Sequence, residues 1–218
     1  MARLNIQVVL LVALAAVVLS APLTAASSRS HSFLRQQTYR RDFGRSGETG
    51  TMCVGSVAEL LHQHEGRNRC AYDHKGGFRA VGCGYNLDDD KEQRRRELKE
   101  ALLDYDRVYK GEQCLDDMQV SGLLTADADR ALKRAARNVE RLNEFCCPVR
   151  AVFADIQHTA GSVDEFPRED MDNVIERVAS EDYKTAADEL ERTKWCSKGR
   201  HMSRCSDNLD LVERGCSK

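Results

Sequence analysis

Two acidic residues stand close together in the segment HEGRNRCAYDHKGGFRAVGCGYN, which covers residues 64–86. Glu65 ends a stretch with a helical pattern and precedes Gly66, whereas Asp73 lies eight residues later, shortly before two glycines. A carboxylic acid at the C-terminal end of a helix faces the negative end of the helix dipole, which makes ionisation costly and raises the pKa. Such an acid is suited to donate a proton.

Cleavage of a glycosidic bond is one reaction that uses a pair of polar groups of this kind. One group protonates the leaving oxygen, and the second directs a water molecule or stabilises the positive charge that develops on the sugar. A hairpin that bends at Gly76 and Gly77 would bring a second polar group across from Glu65. Most glutamates that end a surface helix are only solvated, so the spacing alone leaves the hypothesis open.

The elements that would position these residues follow from the hydrophobic pattern. Ser56 and Glu59 match a capping box, and Gly66 fits a left-handed residue after a helix, which predicts a helix over about 57–65. The stretch 72–85 contains the double-glycine turn and apolar residues on both sides of it, which predicts two or three short strands.

A helical pattern then continues to the C-terminus. Thr125 is the expected N-cap of one helix, and Pro148 fits the first turn of the next. One helix, a small antiparallel sheet and a helical lobe predict a mainly helical α+β fold. The helices predicted after the sheet span about 89–109, 126–142, 148–160, 168–179, 182–193 and 207–214.

The N-terminal part has a different character. Residues 1–26 match a secretory signal peptide, since a basic residue precedes the apolar run 8–19 and small residues follow it. The run is shorter than the ~20 residues that a membrane-spanning helix needs. Residues 27–51 are rich in Ser, Arg and Gly and predict a disordered or pro-segment. We therefore expect a secreted, extracellular protein with no membrane span, whose folded domain covers 52–218.

All the cysteines follow the predicted signal peptide, and a disulfide framework is the first interpretation of such a set. Their number is odd, so at least one is unpaired or bonds another chain; we predict Cys83, in a small buried strand that alternates with glycines. The neighbours Cys146 and Cys147 are expected to tie one helix start to two distant segments, with the three C-terminal cysteines as partners. The nine are Cys53, Cys70, Cys83, Cys114, Cys146, Cys147, Cys196, Cys205 and Cys216.

Charge and motifs exclude several functions. The 33 Lys and Arg residues are interleaved with 35 Asp and Glu residues, which does not fit a nucleic-acid-binding surface. Phosphate loops, dinucleotide fingerprints and Gly-x-Ser-x-Gly nucleophile motifs do not occur in the sequence. His62 and His64 lie near Cys70 and His74, but the first two point in divergent directions on a helix and Cys70 suits a disulfide. We predict no metal and no cofactor.

Several features follow one another in a characteristic order: a helix, Glu65-Gly66, a tyrosine seven residues after the glutamate, a glycine-turn hairpin and Val-Gly-Cys-Gly-Tyr-Asn. This order resembles the catalytic helix and hairpin of the phage-type lysozymes, muramidases of glycoside hydrolase family 24. The likeness covers about 53–216, with 148–161 as the central helix and the run DYKTAA before TKW near the end. The cysteine pattern is similar to that of secreted eukaryotic relatives. The resemblance implies a two-lobed lysozyme-like fold.

The catalytic positions of this family are only partly matched. Its general acid corresponds to Glu65, its second carboxylate to His74, and its hydrogen-bonding threonine to Ala80. Asp73 lies one residue before the second position. Either a local shift lets Asp73 serve as the second carboxylate, or His74 acts as a base or positions water. The alternative is that both are ordinary hairpin residues.

Two further residues come from the resemblance as substrate-binding candidates. Arg204 lies near the place of the family's arginine that pairs with the catalytic glutamate, although a gap is needed to align it, and an exposed arginine in a cysteine-rich loop explains it equally. His158 either faces the cleft from the central helix or is a satisfied histidine at the edge of the core; we prefer the second interpretation.

The resemblance implies a secreted, monomeric, antibacterial peptidoglycan hydrolase that cuts the bond between muramic acid and glucosamine. The alternative is a lysozyme fold that has lost catalysis and serves as a secreted glycan-binding or host-interaction protein. A disulfide-rich structural or effector protein that keeps only the scaffold is a further possibility.

Overall fold

The computed structural model describes residues 53–161, 164, 166–197 and 202–216. The predicted signal peptide and the segment 27–51 lie outside these residues. Within them, the structure is a mainly helical α+β fold, as predicted, and no helix is long and apolar enough to cross a membrane. The elements in chain order are α1 (Val54–Glu65), β1 (Asn68–Asp73), β2 (Arg79–Gly82), β3 (Tyr85–Asn86), α2 (Lys91–Glu100), α3 (Tyr105–Lys110), α4 (Asp117–Asn138), a 3₁₀ turn (Leu142–Glu144), α5 (Cys147–Ala160), α6 (Arg168–Ala179), α7 (Tyr183–Arg192), α8 (Lys194–Ser197) and α9 (Met202–Arg214).

Helix α1 begins before the predicted start. Cys53 occupies the N-cap position without a side-chain cap, so Ser56 lies inside the helix and the predicted capping box is wrong. A disulfide from Cys53 to Cys147 holds this end against the start of α5. At the other end, α1 stops at Glu65 as predicted. Gly66 has a φ of 68° but a ψ of −156°, which is outside the left-handed helical region that we expected.

The double-glycine turn closes the hairpin between β1 and β2. The N–H of His74 donates to the carbonyl of Phe78 at 2.8 Å, and the N–H of Gly77 donates to the carbonyl of His74 at 2.9 Å. Gly77 has a φ of 83°, a conformation that glycine adopts without steric cost. In the described chain β1, β2 and β3 form one antiparallel sheet in sequential order, which confirms the predicted short strands.

The predicted helix 89–109 is two helices, α2 and α3. The chain turns at Leu102, which has a φ of 61° and a side chain exposed to solvent. The carboxylate of Asp104 then accepts a hydrogen bond from the N–H of Arg107 and caps α3. A helical pattern of apolar residues continued across this break, so periodicity alone did not reveal it.

Helix α4 starts well before the predicted position 126. Asp116 and Gln119 form a capping box at its start. Thr125 lies inside the helix, where its hydroxyl donates to the carbonyl of Ser121 at 2.8 Å, so the prediction of Thr125 as N-cap is wrong. The remaining helices match more closely, although α9 begins at Met202 rather than at 207.

Helix α5 is the central helix of the described structure. Pro148 lies in its first turn as predicted, and every residue from Val149 to Gln157 is buried. It packs against α1, α4 and α9. Polar side chains near its C-terminal end are therefore close to those of the other helices.

Two hydrophobic clusters make up the core. The larger is built around α5 and includes residues of α1, α4 and α6 to α9. The smaller joins the sheet to α2, α3 and the first turns of α4. Because α1 belongs to the larger cluster and β2 and β3 to the smaller, the chain passes from one to the other just after Glu65.

All nine cysteines lie among the described residues, and eight form disulfides. Cys83 is the free thiol, as predicted, and is buried, but it lies in the turn between β2 and β3 rather than in a strand. Cys146 pairs with the C-terminal Cys216 as expected. Cys147 pairs with Cys53, so the expectation of a C-terminal partner for it is wrong. The disulfides are Cys53–Cys147, Cys70–Cys114, Cys146–Cys216 and Cys196–Cys205.

Candidate active site

Glu65 is the last residue of α1, and its side chain is only 9% exposed. The turn after β2 lies directly against it. A side chain at Gly84 would place its Cβ 2.8 Å from Oε2 of Glu65, so the turn approaches this closely only because residue 84 is glycine. A carboxylate in such a position requires polar partners, since a buried charge without them is very costly.

Arg204 on α9 contacts Glu65 directly. Its Nη2 donates a hydrogen bond to Oε1 of Glu65, and its Nη1 donates to Oδ1 of Asp155 at 2.7 Å. Arg204 is buried within a helix, so its interpretation as an exposed loop arginine is wrong. The structure thus joins residues that are 139 positions apart in the sequence.

His158 approaches the same oxygen from α5. Its Nε2 lies 3.5 Å from Oε1 of Glu65, and its side chain is 18% exposed. This contact with Glu65 favours the interpretation in which His158 faces the candidate site over the preferred one, a satisfied histidine at the edge of the core. Burial lowers the pKa of His158, but the hydrogen bond with Glu65 and the charges of Asp127 and Glu65 outweigh burial and raise the pKa overall.

His74 faces the other oxygen of Glu65 from the hairpin. Its Nε2 lies 3.5 Å from Oε2, and its side chain is 28% exposed. The N–H of Gly76 donates to Nδ1 at 3.0 Å, and the ring stacks on Phe78 with the centroids 4.3 Å apart. Because Nδ1 accepts, the proton of the neutral ring lies on Nε2, the nitrogen nearest Glu65.

The structure does not bring Asp73 into this group. Its Oδ1 accepts a hydrogen bond from Nη1 of Arg79 at 2.7 Å, and its side chain is 91% exposed. Asp73 is paired with Arg79 across the hairpin, so successive residues at this end point to opposite faces. Ala80 is fully buried and has no hydroxyl group for positioning water.

The pKa of Glu65 is opposite to the expectation from the helix dipole. Burial raises this pKa, but the hydrogen bonds and charges of His158 and Arg204 together outweigh burial and lower it to about 2. The predicted raised pKa is therefore wrong. In the arrangement described, Glu65 is an ionised carboxylate at neutral pH.

A further set of polar residues near Arg204 was missed by the sequence analysis. Asp155 is fully buried on α5 and accepts hydrogen bonds from three side chains, those of Arg204, Asn208 and His64. The sequence did contain a signal, because Asp155 interrupts the apolar run AVFADI and acidic residues are seldom fully buried unless paired.

Three of the four residues considered for zinc, Cys70, His64 and His74, have other partners. Cys70 is bonded to Cys114, and the ring of His64 lies between Asp155 and Asp207. Across the described residues, groups of three or more side chains that could hold a metal ion are not found.

No protein-family model matches this sequence, and no curated protein is significantly similar to it. The similarity to phage-type lysozymes therefore rests on the residues quoted above.

Proposed function

We propose that this protein is a secreted, lysozyme-like glycoside hydrolase that acts on bacterial cell-wall glycan, with Glu65 as its central carboxylate. Glu65 is not a solvated helix-end residue but is 9% exposed and contacts Arg204, His158 and His74, which come from three different elements. Side chains that share no local structure converge on this single carboxylate.

The ionised state of Glu65 determines which step it serves. Cleavage of a glycosidic bond passes through a transition state with positive charge at the anomeric carbon. A carboxylate in a site that excludes most water stabilises such a charge strongly. We assign this role to Glu65 in the protein at neutral pH.

The proton for the leaving group then comes from another residue, and we assign it to His158. Its raised pKa favours the imidazolium, and its Nε2 lies beside Glu65. In this scheme Nε2 of His158 protonates the glycosidic oxygen, the bond from that oxygen to the anomeric carbon breaks, and a water molecule adds to the carbon. The proton that the water loses returns to His158. The products are two sugar fragments, and the site is regenerated.

In this proposal His74 takes the role that the resemblance gives to a second carboxylate. Its Nε2 proton points toward Oε2 of Glu65, and its 28% exposure leaves part of the ring accessible. We assign it to orientation of the water molecule, a role that imidazole performs near neutral pH. Ala80 offers no hydroxyl group to assist in that step.

The second candidate function is a lysozyme fold that binds glycan without cleaving it. The observation in its favour is that Asp73 is paired with Arg79 and is 91% exposed, which leaves Glu65 without a second carboxylate from the hairpin. Under this hypothesis the Glu65–Arg204 pair is a binding or purely stabilising feature.

Lysis of bacterial cell walls by the purified protein separates the two candidates. The hydrolase hypothesis predicts that the wild-type protein clears a cell-wall suspension and that Glu65→Gln abolishes clearing. Glu59→Gln is a matched control, since Glu59 is an exposed residue of the same helix. Retention on insoluble peptidoglycan without clearing supports the binding function instead. Neither clearing nor retention rejects both and leaves the disulfide-rich scaffold hypothesis.

A further inference from the structure

A buried group of polar side chains lies behind the ion pair of Arg204 and Glu65. We call it the α9 clamp, because it ties α9 to α1 and α5. Its centre is Asp155, which is fully buried. The clamp consists of His64 on α1, Asp155 on α5, and Asp207 and Asn208 on α9.

Asp155 holds Arg204 in a defined place. Its Oδ1 accepts from Nη1 of Arg204 at 2.7 Å, and its Oδ2 accepts from Nδ2 of Asn208 at 3.0 Å. Both donors belong to α9, one helical turn apart. The guanidinium of Arg204 is therefore held by Asp155 through Nη1 while its Nη2 donates a hydrogen bond to Glu65.

His64 adds a second connection between the same helices. Its Nδ1 lies 3.0 Å from Oδ1 of Asp155, and its Nε2 lies 3.1 Å from Oδ2 of Asp207. The ring of His64 therefore contacts both α5 and α9. The side chain of His64 is 2% exposed, and the next residue in the chain is Glu65. Gln63 also donates to Asp207, at 3.1 Å.

Asn208 supports a specific role for this group. Its side chain is fully buried, and among the described residues its Oδ1 has no hydrogen-bond partner. A buried acceptor without a partner destabilises the fold. An apolar residue of similar size would avoid that cost but would not hold Asp155.

We propose that Asp155 and His64 are positioning residues that hold Arg204 against Glu65. They do not touch the substrate themselves. As an account of a catalytic site the inference rests on the proposed function, but the clamp can be tested without any glycan. If Arg204 is fixed by the clamp, Glu65 stays paired with it and remains a carboxylate.

The pKa of Glu65 in the variant Asp155→Asn tests this inference, because two explanations predict opposite signs. If Asp155 were only a nearby negative charge, its removal would lower the pKa of Glu65 or leave it unchanged. If Asp155 positions Arg204, the substitution frees the guanidinium, Glu65 loses the hydrogen bond and the charge of Arg204, and its pKa rises. We expect a rise of about one unit, which is a tenfold change in proton affinity.

The measurement is an NMR titration of the full-length protein with ¹³C-labelled glutamate side chains, with the Glu65 signal assigned by its loss in Glu65→Gln. The matched control is Glu97→Gln, which removes another partly buried carboxylate, one bonded to Arg130 and Tyr85. This control should leave the pKa of Glu65 unchanged. A rise in the control equal to that in Asp155→Asn would overturn the inference, since general loosening of the fold would then explain both.

If Asp155→Asn does not fold, the variant Asp207→Asn tests the same inference. The Asp207 side chain is 37% exposed, so this substitution disturbs the core less. It should raise the pKa of Glu65 in the same direction by a smaller amount, and an unchanged or lower pKa would overturn the inference. The cell-wall assay is independent of this measurement. If the pKa of Glu65 rises but the wild-type protein cleaves no cell wall, the proposed role of the α9 clamp stands and only the proposed hydrolase activity is rejected.

Discussion

Asp73 and His74 are neighbours in the β1–β2 hairpin, yet only His74 faces Glu65. Nε2 of His74 lies 3.5 Å from Oε2 of Glu65. Asp73 is instead paired with Arg79, and the side chain of Asp73 is 91% exposed. A step of one residue along an extended chain moves a side chain to the opposite face. The sequence was compatible with either Asp73 or His74 beside Glu65, and in the structure the imidazole of His74 is the group that lies there.

This relationship predicts different effects for two adjacent substitutions. His74→Ala removes the ring that faces Glu65 and should lower the rate of cell-wall hydrolysis by about 100-fold, a typical loss when a reacting group is no longer held in position. Asp73→Asn should leave the rate unchanged, because Asp73 points away from the site. Turbidity of a cell-wall suspension measures both. An equal loss in the two variants would contradict the assignment of His74.

The low pKa of Glu65 predicts a loss of stability in acid. The pKa is about 2 in the folded protein and 4.5 for the ordinary group. Because the folded value is the lower one, ionised Glu65 contributes stability that is fully present above about pH 4.5 and is lost as the pH falls through 2. The full contribution is roughly 3 kcal/mol.

Urea unfolding at several pH values between 5 and 2 measures this contribution as a slope. The free energy of unfolding of Glu65→Gln should depend less on pH in this range than that of the wild-type protein. Glu97 also has a pKa lowered to about 2, because the hydrogen bonds of Arg130 and Tyr85 outweigh its burial. Part of the slope must therefore remain in Glu65→Gln, and identical slopes in the two proteins would show that Glu65 is not paired as described.

Local sequence signals predicted the elements that local interactions determine. The turn at Gly76 and Gly77 and the helix over 168–179 needed only glycine conformations and an apolar period, and both are present. The predicted start of α1 was wrong, because that end of the helix is held by a disulfide between Cys53 and Cys147, 94 residues apart. Sequence spacing does not determine which cysteines pair.

The candidate site shows the same division. Glu65 was proposed from its place at a helix end together with the resemblance to phage-type lysozymes, but the sign of its pKa shift depends on His158 and Arg204, which belong to distant helices. The helix dipole is a local argument, and the long-range ion pair outweighs it. Asp155 was missed because its role depends on α5, α1 and α9 being packed together.

The assignment of His158 as proton donor predicts the pH dependence of hydrolysis. An acid works only while it is protonated, so activity should fall as the pH rises through the pKa of His158, which lies above its ordinary value of 6.5. Activity should fall at the acidic end near pH 2, where Glu65 gains a proton. His158→Gln should lower the rate by about 100-fold and abolish the alkaline fall.

His62→Gln is the matched control for that experiment, because His62 is an exposed histidine of α1 and should not affect the profile. Hydrolysis confined to strongly acidic pH would contradict the assignment. It would mean that protonated Glu65, and not His158, supplies the proton.

The close approach of Gly84 to Glu65 predicts a position-specific effect of alanine. Gly84 and Gly77 both have positive φ values, 74° and 83°, so alanine is strained at either site by about 1–2 kcal/mol. Only at Gly84 would the new Cβ meet Glu65, at 2.8 Å, whereas nothing lies within 4 Å at Gly77. Gly84→Ala should therefore lose an additional ~1–3 kcal/mol of unfolding free energy through overpacking. Equal losses in urea unfolding would show that the turn does not press on the carboxylate.

The disulfide pattern predicts one reactive thiol per chain, and only after unfolding. Cys83 is 4% exposed, and burial raises the pKa of its thiol, which lowers the fraction of reactive thiolate. A thiol reagent such as Ellman's reagent should react slowly with the native protein and should detect a single thiol in denaturant without reductant. In the variant Cys83→Ser the reagent should detect no thiol under the same conditions, because the other eight cysteines are paired. Three thiols in the denatured wild-type protein would mean that one of the disulfides, for example the Cys196–Cys205 bond near Arg204, is not formed.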